Sequence, residues 1–142
     1  MNLKIKRAEY VKSLINEMRT NQDIVLYLFD YNTEIWYNEN FHNNLAIERK
    51  IDYTLNFFSY ICYLSKHKII KTAEYNCFKY NIERILKNNQ FQFYCYNLYH
   101  FSARIKQPMP FYDLFTYAKN NHYFDDDFWN NRSQKYPRYL NF

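Results

Sequence analysis

The chain contains no glycine in its 142 residues. At the usual frequency of about 7%, roughly ten glycines would be expected in a chain of this length. Glycine supplies the positive backbone φ of tight hairpin turns and lets the main chain approach a phosphate closely. P-loops, Rossmann fingerprints and nucleophile elbows all need it, so none of these sites is present in its usual form. The sequence therefore favours helices joined by short connections.

Asparagine is the residue that we expect to replace glycine at the helix ends. It occurs 19 times, and it tolerates the left-handed backbone region better than most residues do. We interpret its adjacent pairs as helix boundaries; they are Asn43-Asn44, Asn88-Asn89, Asn120-Asn121 and Asn130-Asn131. An AT-rich genome also favours Asn, Lys, Ile, Tyr and Phe codons, and we attribute most of the tyrosine content to it. Aromatic content alone is therefore no evidence for a ligand.

Apolar residues recur with a helical period along most of the chain, which predicts an all-α fold. We expect one compact bundle of five or six helices over residues 1–121, followed by an irregular, aromatic extension over residues 122–142. This extension packs either on the bundle or on a partner. A first helix is predicted over residues 5–19. Asn21 or Asp23 is expected to cap a second helix; its apolar residues are Ile24, Tyr27, Leu28, Tyr31 and Ile35.

A long helix over residues 44–66 is predicted at the centre of the bundle. One stripe of this helix is apolar; it contains Ile47, Ile51, Leu55, Phe58, Ile61 and Cys62. Tyr53, Phe57 and Tyr60 occupy its other faces. Because more than one face is apolar, we expect this helix to be buried on two sides.

Three shorter helices are predicted to follow. Thr72 can cap the first of them, with Glu74 in its first turn. Asn88 or Asn89 can cap the next, whose segment Phe91–Leu98 is also rich in aromatics that favour strands. Because its apolar residues do not alternate with polar ones, we favour a helix there. Pro110 can begin the last helix, which Asn120 or Asn121 is expected to end.

The net charge is +5 and the isoelectric point is about 9.0. The densest basic stretch contains Lys66, His67, Lys68 and Lys71. One interpretation is a patch that binds RNA, DNA or an acidic protein. The other is that lysines at a helix C-terminus interact favourably with the helix dipole and stay solvated. Composition alone does not decide between them.

The aromatic extension allows three interpretations. Trp129, Tyr136 and Arg138 could anchor a protein partner, since these residue types dominate binding hot spots. Alternatively, its aromatics could stack bases beside Arg132 and Lys135, as in a single-strand binding platform. The third interpretation is that the extension folds back and completes the core of its own bundle.

No local pattern identifies a catalytic or metal site. The four histidines are far apart and none has a second ligand at helical spacing. His100 precedes Arg104 by one helical turn, a pair that could bind a phosphate or act on a phosphodiester, or could form an ordinary polar edge. Asp125, Asp126 and Asp127 favour a solvated turn over a cation loop. We therefore predict no catalytic residue, no metal and no cofactor.

The sequence indicates a soluble protein of a reducing cytoplasm. The basic start lacks the apolar region of a signal peptide. The apolar run Phe57–Leu64 is much shorter than the roughly 20 residues of a membrane span. The three cysteines cannot all pair, and Cys62 and Cys95 fall on apolar helix faces. We expect no membrane association.

Part of the chain resembles a family of uncharacterised bacterial helical proteins. The resemblance rests on Ile51–Leu64, on Lys68-Ile69-Ile70 and on the segment Tyr80–Ile85, which contains Tyr-x-Ile-x-Arg. Tyr96–Phe101 and Pro110-Phe111 are also similar, so that residues 7–120 are covered. The resemblance implies an all-α domain from bacteria or their mobile elements. It implies no activity and no functional residue.

Two functions follow as expectations. The first is a non-catalytic protein–protein interaction module, a regulator or inhibitor from a phage, mobile element or defence locus, that binds a protein partner or a second copy through Trp129, Tyr136 and Arg138. The alternative is an RNA- or DNA-binding protein. Its candidate contacts are Lys66, Lys68, Lys71, Arg132 and Lys135.

Overall fold

The computed structural model describes residues 2–30 and 35–142, and for Gln22, Asp23, Ile24 and Asp30 it describes the backbone alone. Five α-helices follow one another: α1 (Leu3–Asp30), α2 (Leu45–Lys66), α3 (Thr72–Lys87), α4 (Asn89–Ile105) and α5 (Tyr112–Asn120). Two short 3₁₀ turns cover Phe41–Asn43 and Asp126–Trp129. The described residues contain no strand, so the predicted all-α fold is confirmed. Within these residues, no helix has both the length and the hydropathy of a membrane span.

Helix α2 is the central helix and packs against α1, α3 and α5. It begins after Asn44, whose side chain accepts a hydrogen bond from the Ile47 amide. The helix predicted over residues 44–66 is thus confirmed. Its most deeply buried residues share one face; they are Ile51, Leu55, Phe58 and Ile61. Burial of this stripe against three neighbouring helices drives the bundle together.

The predicted burial of a second face of α2 is only partly right. Phe57 is buried, but Tyr53 and Tyr60 are 51% and 45% exposed. Both tyrosines line a groove between α1 and α2. A tyrosine can lie there because its hydroxyl keeps a polar partner while its ring remains half in solvent.

Helix α1 is one continuous helix of 28 residues, so the predicted break at Asn21 or Asp23 is wrong. Asn and Asp lower helix stability by only about 0.7 kcal/mol each. The buried residues on either side of these positions keep one helical stripe; they are Val11, Leu14, Met18, Val25 and Phe29. Packing of this stripe outweighs the local capping preference. Of the residues assigned to the predicted second helix, Tyr31 lies outside the described residues and Ile35 follows the helix, exposed.

Three helices end in the same hydrogen-bonded motif, in which a left-handed residue follows the last turn. At the end of α2, Ile69 N and Lys68 N bond to Leu64 O and Ser65 O, and Lys68 has a φ of 57°. The ends of α4 and α5 repeat this pattern at Lys106 (φ 56°) and His122 (φ 60°). These bonds define a Schellman motif, whose left-handed position is usually glycine.

The expectation that asparagine takes the left-handed positions is therefore wrong. Among the described residues, positive φ occurs at Lys68, Lys106, Phe111 and His122. Lysine and histidine at a helix C-terminus interact favourably with the dipole, which offsets part of the left-handed cost. Asparagine instead caps helix N-termini, where its side-chain oxygen accepts a main-chain N–H.

The N-termini of α3 and α4 show how local side chains start these helices. Thr72 is the first residue of α3, so the predicted cap is wrong by one residue; Lys71 precedes the helix and its N–H donates to the Glu74 carboxylate at 2.8 Å. The predicted cap of α4 is confirmed, since buried Asn88 accepts from Phe91 N at 3.0 Å. The helix predicted over Phe91–Leu98 is also confirmed.

Helix α5 begins two residues later than expected. Pro110 precedes it, and Phe111, buried and left-handed, occupies the capping position. Burial of the Phe111 ring holds the chain in this costly conformation. The predicted end at Asn120 is confirmed.

We predict that Lys106→Gly stabilises the protein by about 0.5–1 kcal/mol. Glycine has no Cβ and therefore adopts positive φ without the conformational penalty that lysine has there. The larger conformational entropy of glycine in the unfolded chain cancels part of the gain in stability. The control is Lys79→Gly in the exposed middle of α3, which should lose about 1 kcal/mol. Urea denaturation of both variants measures the free energy of unfolding. Equal losses in both would contradict the analysis of the helix ends.

Candidate nucleic-acid interface

The C-terminal extension, residues 122–142, packs on α4 and α5. Phe128 is fully buried, Phe124 and Tyr136 are 8% and 4% exposed, and their rings contact the core. The Phe124 and Phe128 rings stack on each other at 4.1 Å and lie 5.4 Å and 6.1 Å from the Phe115 ring of α5. Most of the aromatic side chains of this segment therefore serve its own core.

Buried Asn97 of α4 fixes the last part of the extension. Its Oδ1 accepts from Tyr139 N at 2.6 Å and from Leu140 N at 3.1 Å, and its Nδ2 donates to Pro137 O at 2.7 Å. One side chain thus pairs three main-chain groups of a segment without regular secondary structure. Such pairing is what allows an irregular chain to be buried at a low energetic cost.

The three residues predicted to anchor a partner lie in different environments. Tyr136 is 4% exposed, stacks on Tyr96 at 4.5 Å and donates to Asp125 at 2.8 Å. Trp129 is 37% exposed and lies under Lys119. Arg138 is exposed and lies over the Phe142 ring. Tyr136 therefore has little surface to offer a partner in this conformation, whereas Trp129 and Arg138 keep an accessible side.

Lys135 and Arg132 lie in the extension and are both exposed. Lys135 forms an ion pair with Asp125, and Asp125 also caps the 3₁₀ turn by accepting from Phe128 N. Burial opposes ionisation of Asp125, but hydrogen bonds from Lys135 and Tyr136 outweigh it and lower its pKa. The charge of Lys135 is thus shared with a carboxylate of its own chain. Both residues belong to the extension, whereas Lys66, Lys68 and Lys71 lie at the end of α2 and in the turn that follows it.

His100 and Arg104 both interact with the extension. His100 is 7% exposed, and its Nε2 donates to the Phe128 carbonyl at 2.8 Å. Arg104 donates to Asn141 O at 3.5 Å. Burial lowers the pKa of His100. A neutral imidazole that is committed to a main-chain carbonyl has a structural role.

The described residues hold no cluster of three or more metal-ligating side chains. Cys62 and Cys95 are buried and Cys77 is exposed, and none forms a disulfide. Burial raises the pKa of Cys62 to about 12. Both buried cysteines therefore act as small apolar side chains, as their positions on the helices predicted.

Helices α1 and α2 are antiparallel, which brings two distant basic segments to one end of the bundle. Tyr10 of α1 bonds to Tyr60 of α2 at 3.0 Å, and Glu17 accepts from Tyr53 at 2.9 Å. Continuing this register places the start of α1 beside the end of α2. The start of α1 also lies beside the start of α3, because Arg7 Nε is 3.3 Å from the Glu74 carboxylate.

Five exposed lysines consequently surround this end, which we call the basic end; they are Lys4, Lys6, Lys66, Lys68 and Lys71. Sequence reasoning found the last three and missed the first two, which are some 60 residues away in sequence and belong to it only through the register of α1 and α2. The nearby Glu74 carboxylate is already held by Arg7. Asp113 of α5 lines a pocket with Lys66, whereas Lys4, Lys6, Lys68 and Lys71 form no ion pair within the described residues, so the basic end keeps a surplus of positive charge in solvent.

A row of exposed tyrosines adjoins the basic end. We call Tyr10, Tyr53, Tyr60 and Tyr63 the tyrosine row; they are 38%, 51%, 45% and 39% exposed. The Tyr60 and Tyr63 rings are nearly parallel, with centroids 6.1 Å apart. Tyr63 contacts His67 at 4.4 Å, next to Lys66 and Lys68. A groove of about 390 Å³ runs beside the row between α1 and α2.

A second groove, of about 480 Å³, lies between the end of α1 and the start of α2. Its walls are mainly apolar; they include Val25, Leu28, Trp36, Ile47 and Ile51. Ile47 is 40% exposed, and the buried Trp36 Nε1 has no hydrogen-bond partner among the described residues. This groove is apolar where the basic end is charged, so the two surfaces suit different ligands.

We predict that Asn97→Ala releases the end of the extension. The variant leaves the amides of Tyr139 and Leu140 and the Pro137 carbonyl without their partner, which should cost about 2–4 kcal/mol. Native-state trypsin digestion, followed by mass spectrometry, should then show rapid cleavage at Lys135 and Arg138. Asn76→Ala, at an exposed position of α3, is the control and should digest like the wild type. Wild-type resistance in Asn97→Ala would contradict the anchoring role.

We predict that His100 makes the protein less stable as the pH falls below about 6.5. Because burial lowers the pKa of His100, the unfolded chain binds more protons than the folded chain as the pH falls. The contribution of neutral His100 to the free energy of unfolding is therefore present above about pH 6.5 and is lost below it. His100→Gln keeps a donor for Phe128 but does not titrate. Asp52, whose pKa burial raises to about 6, acts in the opposite direction in both proteins. Urea midpoints between about pH 5 and 8 should fall more in the wild type than in the variant; parallel curves would contradict the role of His100.

Comparison of the chain with protein-family models, curated proteins and solved structures gave no match. The resemblance of residues 7–120 to a family of bacterial helical proteins therefore stays a prediction. Among the described surfaces, the basic end with its tyrosine row combines exposed cations with exposed rings, the groups that contact phosphates and stack on bases.

Proposed function

We propose that this protein is a non-catalytic nucleic-acid-binding module and that its basic end contacts the phosphate backbone. The observation that carries the proposal is the convergence of Lys4 and Lys6 of α1, Lys66 at the end of α2, and Lys68 and Lys71 in the turn before α3. Clustered exposed lysines release counterions when they neutralise phosphates, which supplies most sequence-independent affinity. The overall positive charge of the chain acts in the same direction.

The positions of these lysines also argue against a purely structural role. Lys66 lies in the last turn of α2, where a cation interacts favourably with the helix dipole. Lys4 and Lys71 lie at the N-termini of α1 and α3, where a positive charge is unfavourable by some tenths of a kcal/mol. The first turn of α1 contains no acidic residue. Stability of the helices therefore does not explain why these two positions are basic, whereas binding of an anion does.

The proposal contains no catalytic step. His100 and Arg104, the pair that could act on a phosphodiester, both bond to main-chain oxygens of the extension, away from the basic end. The basic end itself offers lysines and a half-buried glutamate that is paired with Arg7. These groups bind and position a phosphate, and they hold no arrangement of nucleophile, base and orienting group.

A second candidate, binding to a protein or to a second copy of the chain, is supported by the apolar groove beside Trp36. Tyr27, Ile35 and Ile47 are 52%, 69% and 40% exposed around it. Partly exposed apolar side chains at a groove favour an apolar partner segment. The aromatic extension offers a partner less surface, because most of its rings are buried in its own core.

We predict that Lys68→Glu with Lys71→Glu weakens binding of a single-stranded oligonucleotide of about 20 nucleotides more than tenfold at low salt. Two lost phosphate contacts should also reduce the slope of log K against log salt by roughly 1.4, at about 0.7 per contact. Fluorescence anisotropy between about 50 and 200 mM salt measures both quantities.

The matched control is Lys79→Glu with Lys87→Glu, which makes the same charge change further along α3. For this control, the slope of log K against log salt should equal that of the wild type within error. Its affinity should fall slightly, because the net charge of the protein is lower. Equal effects of the two pairs would show that only the net charge matters and would contradict a localised site. Absence of binding at low salt, with a concentration-dependent mass that Ile47→Lys abolishes, would favour the second candidate.

A further inference from the structure

The tyrosine row has the properties of a stacking surface. Tyr53, Tyr60 and Tyr63 lie on one side of α2, and Tyr10 faces them from α1. Each exposes more than a third of its area. Tyr10, Tyr53 and Tyr60 line the groove, and Tyr63 extends the row from Tyr60 toward the basic end, so that the four rings form an aromatic surface that the core of the bundle does not use.

Hydrogen bonds hold these rings at their hydroxyl ends and leave other parts of the rings free. Tyr10 and Tyr60 share one bond of 3.0 Å, and Tyr53 donates to Glu17 at 2.9 Å. Tyr63 is held by its contact with His67. Rings that are fixed in advance lose less conformational entropy when a flat ligand stacks on them.

The row leads directly into the basic end. Lys6 lies one helical turn before Tyr10 on the same face of α1. On the other side of the row, Lys66 is the last residue of α2 and Lys68 lies in the turn that follows it. The Cα atoms of Tyr53 and Tyr63 are ten residues apart, or roughly 15 Å along the helix. This is about the length of four stacked nucleotides at ~3.4 Å each. The carboxylate at the row, Glu17, lies at the end of the row away from the lysines and is bonded to Tyr53.

We propose that the tyrosine row stacks the unpaired bases of a single-stranded nucleic acid while the basic end holds its phosphates. This inference rests on the proposed function and names its substrate class. In a duplex the base faces are covered by their neighbours, so the lysines alone would contact it. Every unpaired base has a free face for a tyrosine ring, which makes the binding selective for single strands and tolerant of sequence.

The test is Tyr60→Leu with Tyr63→Leu, which keeps apolar bulk and removes the rings. Affinity for oligothymidylate should fall about tenfold or more at fixed salt, since ring stacking contributes strongly per base. Affinity for a duplex of the same length and the slope against salt should not change. Tyr60→Phe with Tyr63→Phe keeps the rings and should bind oligothymidylate within about twofold of the wild type.

Tyr80→Leu with Tyr112→Leu is the matched control, because both tyrosines are exposed on other faces, on α3 and at the start of α5. Urea midpoints confirm that each variant folds. The stacking role is overturned if the Tyr60/Tyr63 leucine variant binds oligothymidylate as tightly as the wild type does. It is also overturned if the variant loses as much affinity for the duplex as for oligothymidylate. In that case the Lys68→Glu/Lys71→Glu variant separates the two proposals. If it still binds oligothymidylate more weakly than the wild type, only the stacking inference fails. If it binds like the wild type, the proposed function fails as well.

Discussion

The turn between α2 and α3 is the constraint on which the basic end depends. The chain has no glycine for this turn, and it places Lys68 in the left-handed region instead. The amides of Lys68 and Ile69 close the last turn of α2 by bonding to Ser65 and Leu64 carbonyls. Helix α3 then begins four residues after Lys68. A left-handed lysine costs about 1 kcal/mol, and the side chain of Lys68 is exposed in this turn.

The aromatic surplus of the chain divides into two populations with different physical roles. In the extension, rings such as Phe124 and Phe128 are buried against Phe115, and Asn97 pairs the main chain that carries the last of them. Along α1 and α2, tyrosines keep half of their rings in solvent and use their hydroxyls as anchors. Burial and hydrogen bonding decide which of these rings keep an accessible face.

Much of the fold could be predicted because helical periodicity records which face of a segment is buried. The limits of α2 and the cap at Asn88 follow from apolar spacing and from side-chain capping. The unbroken course of α1 could not be predicted from capping residues, since packing of Met18 and Phe29 outweighs the weak preference of Asn21 to start a helix. No local sequence pattern predicts a lysine in the left-handed region. The conformational energy of that backbone is offset by hydrogen bonds that form only when the helix end folds.

The candidate site could be predicted only in part for a similar reason. The high density of positive charge at Lys66, Lys68 and Lys71 could be predicted, because these residues are neighbours in sequence. Lys4 joins them through the antiparallel register of α1 and α2, which no local pattern encodes. The exposure of Tyr60 on α2 could not be predicted either. Tyr60 has the spacing of a core residue, and its side chain differs from that of buried Phe57 by the hydroxyl group alone.

The most direct measurement is an amide shift titration of the isotope-labelled protein with oligothymidylate. The proposed mode of binding predicts that the largest shifts fall in two separate stretches of sequence, residues 4–10 and 53–74, which meet only in the folded bundle. Residues 122–142 should shift little. Shifts concentrated in that extension or around Trp36, or shifts spread evenly over all lysines, would contradict a site built from the basic end and the tyrosine row.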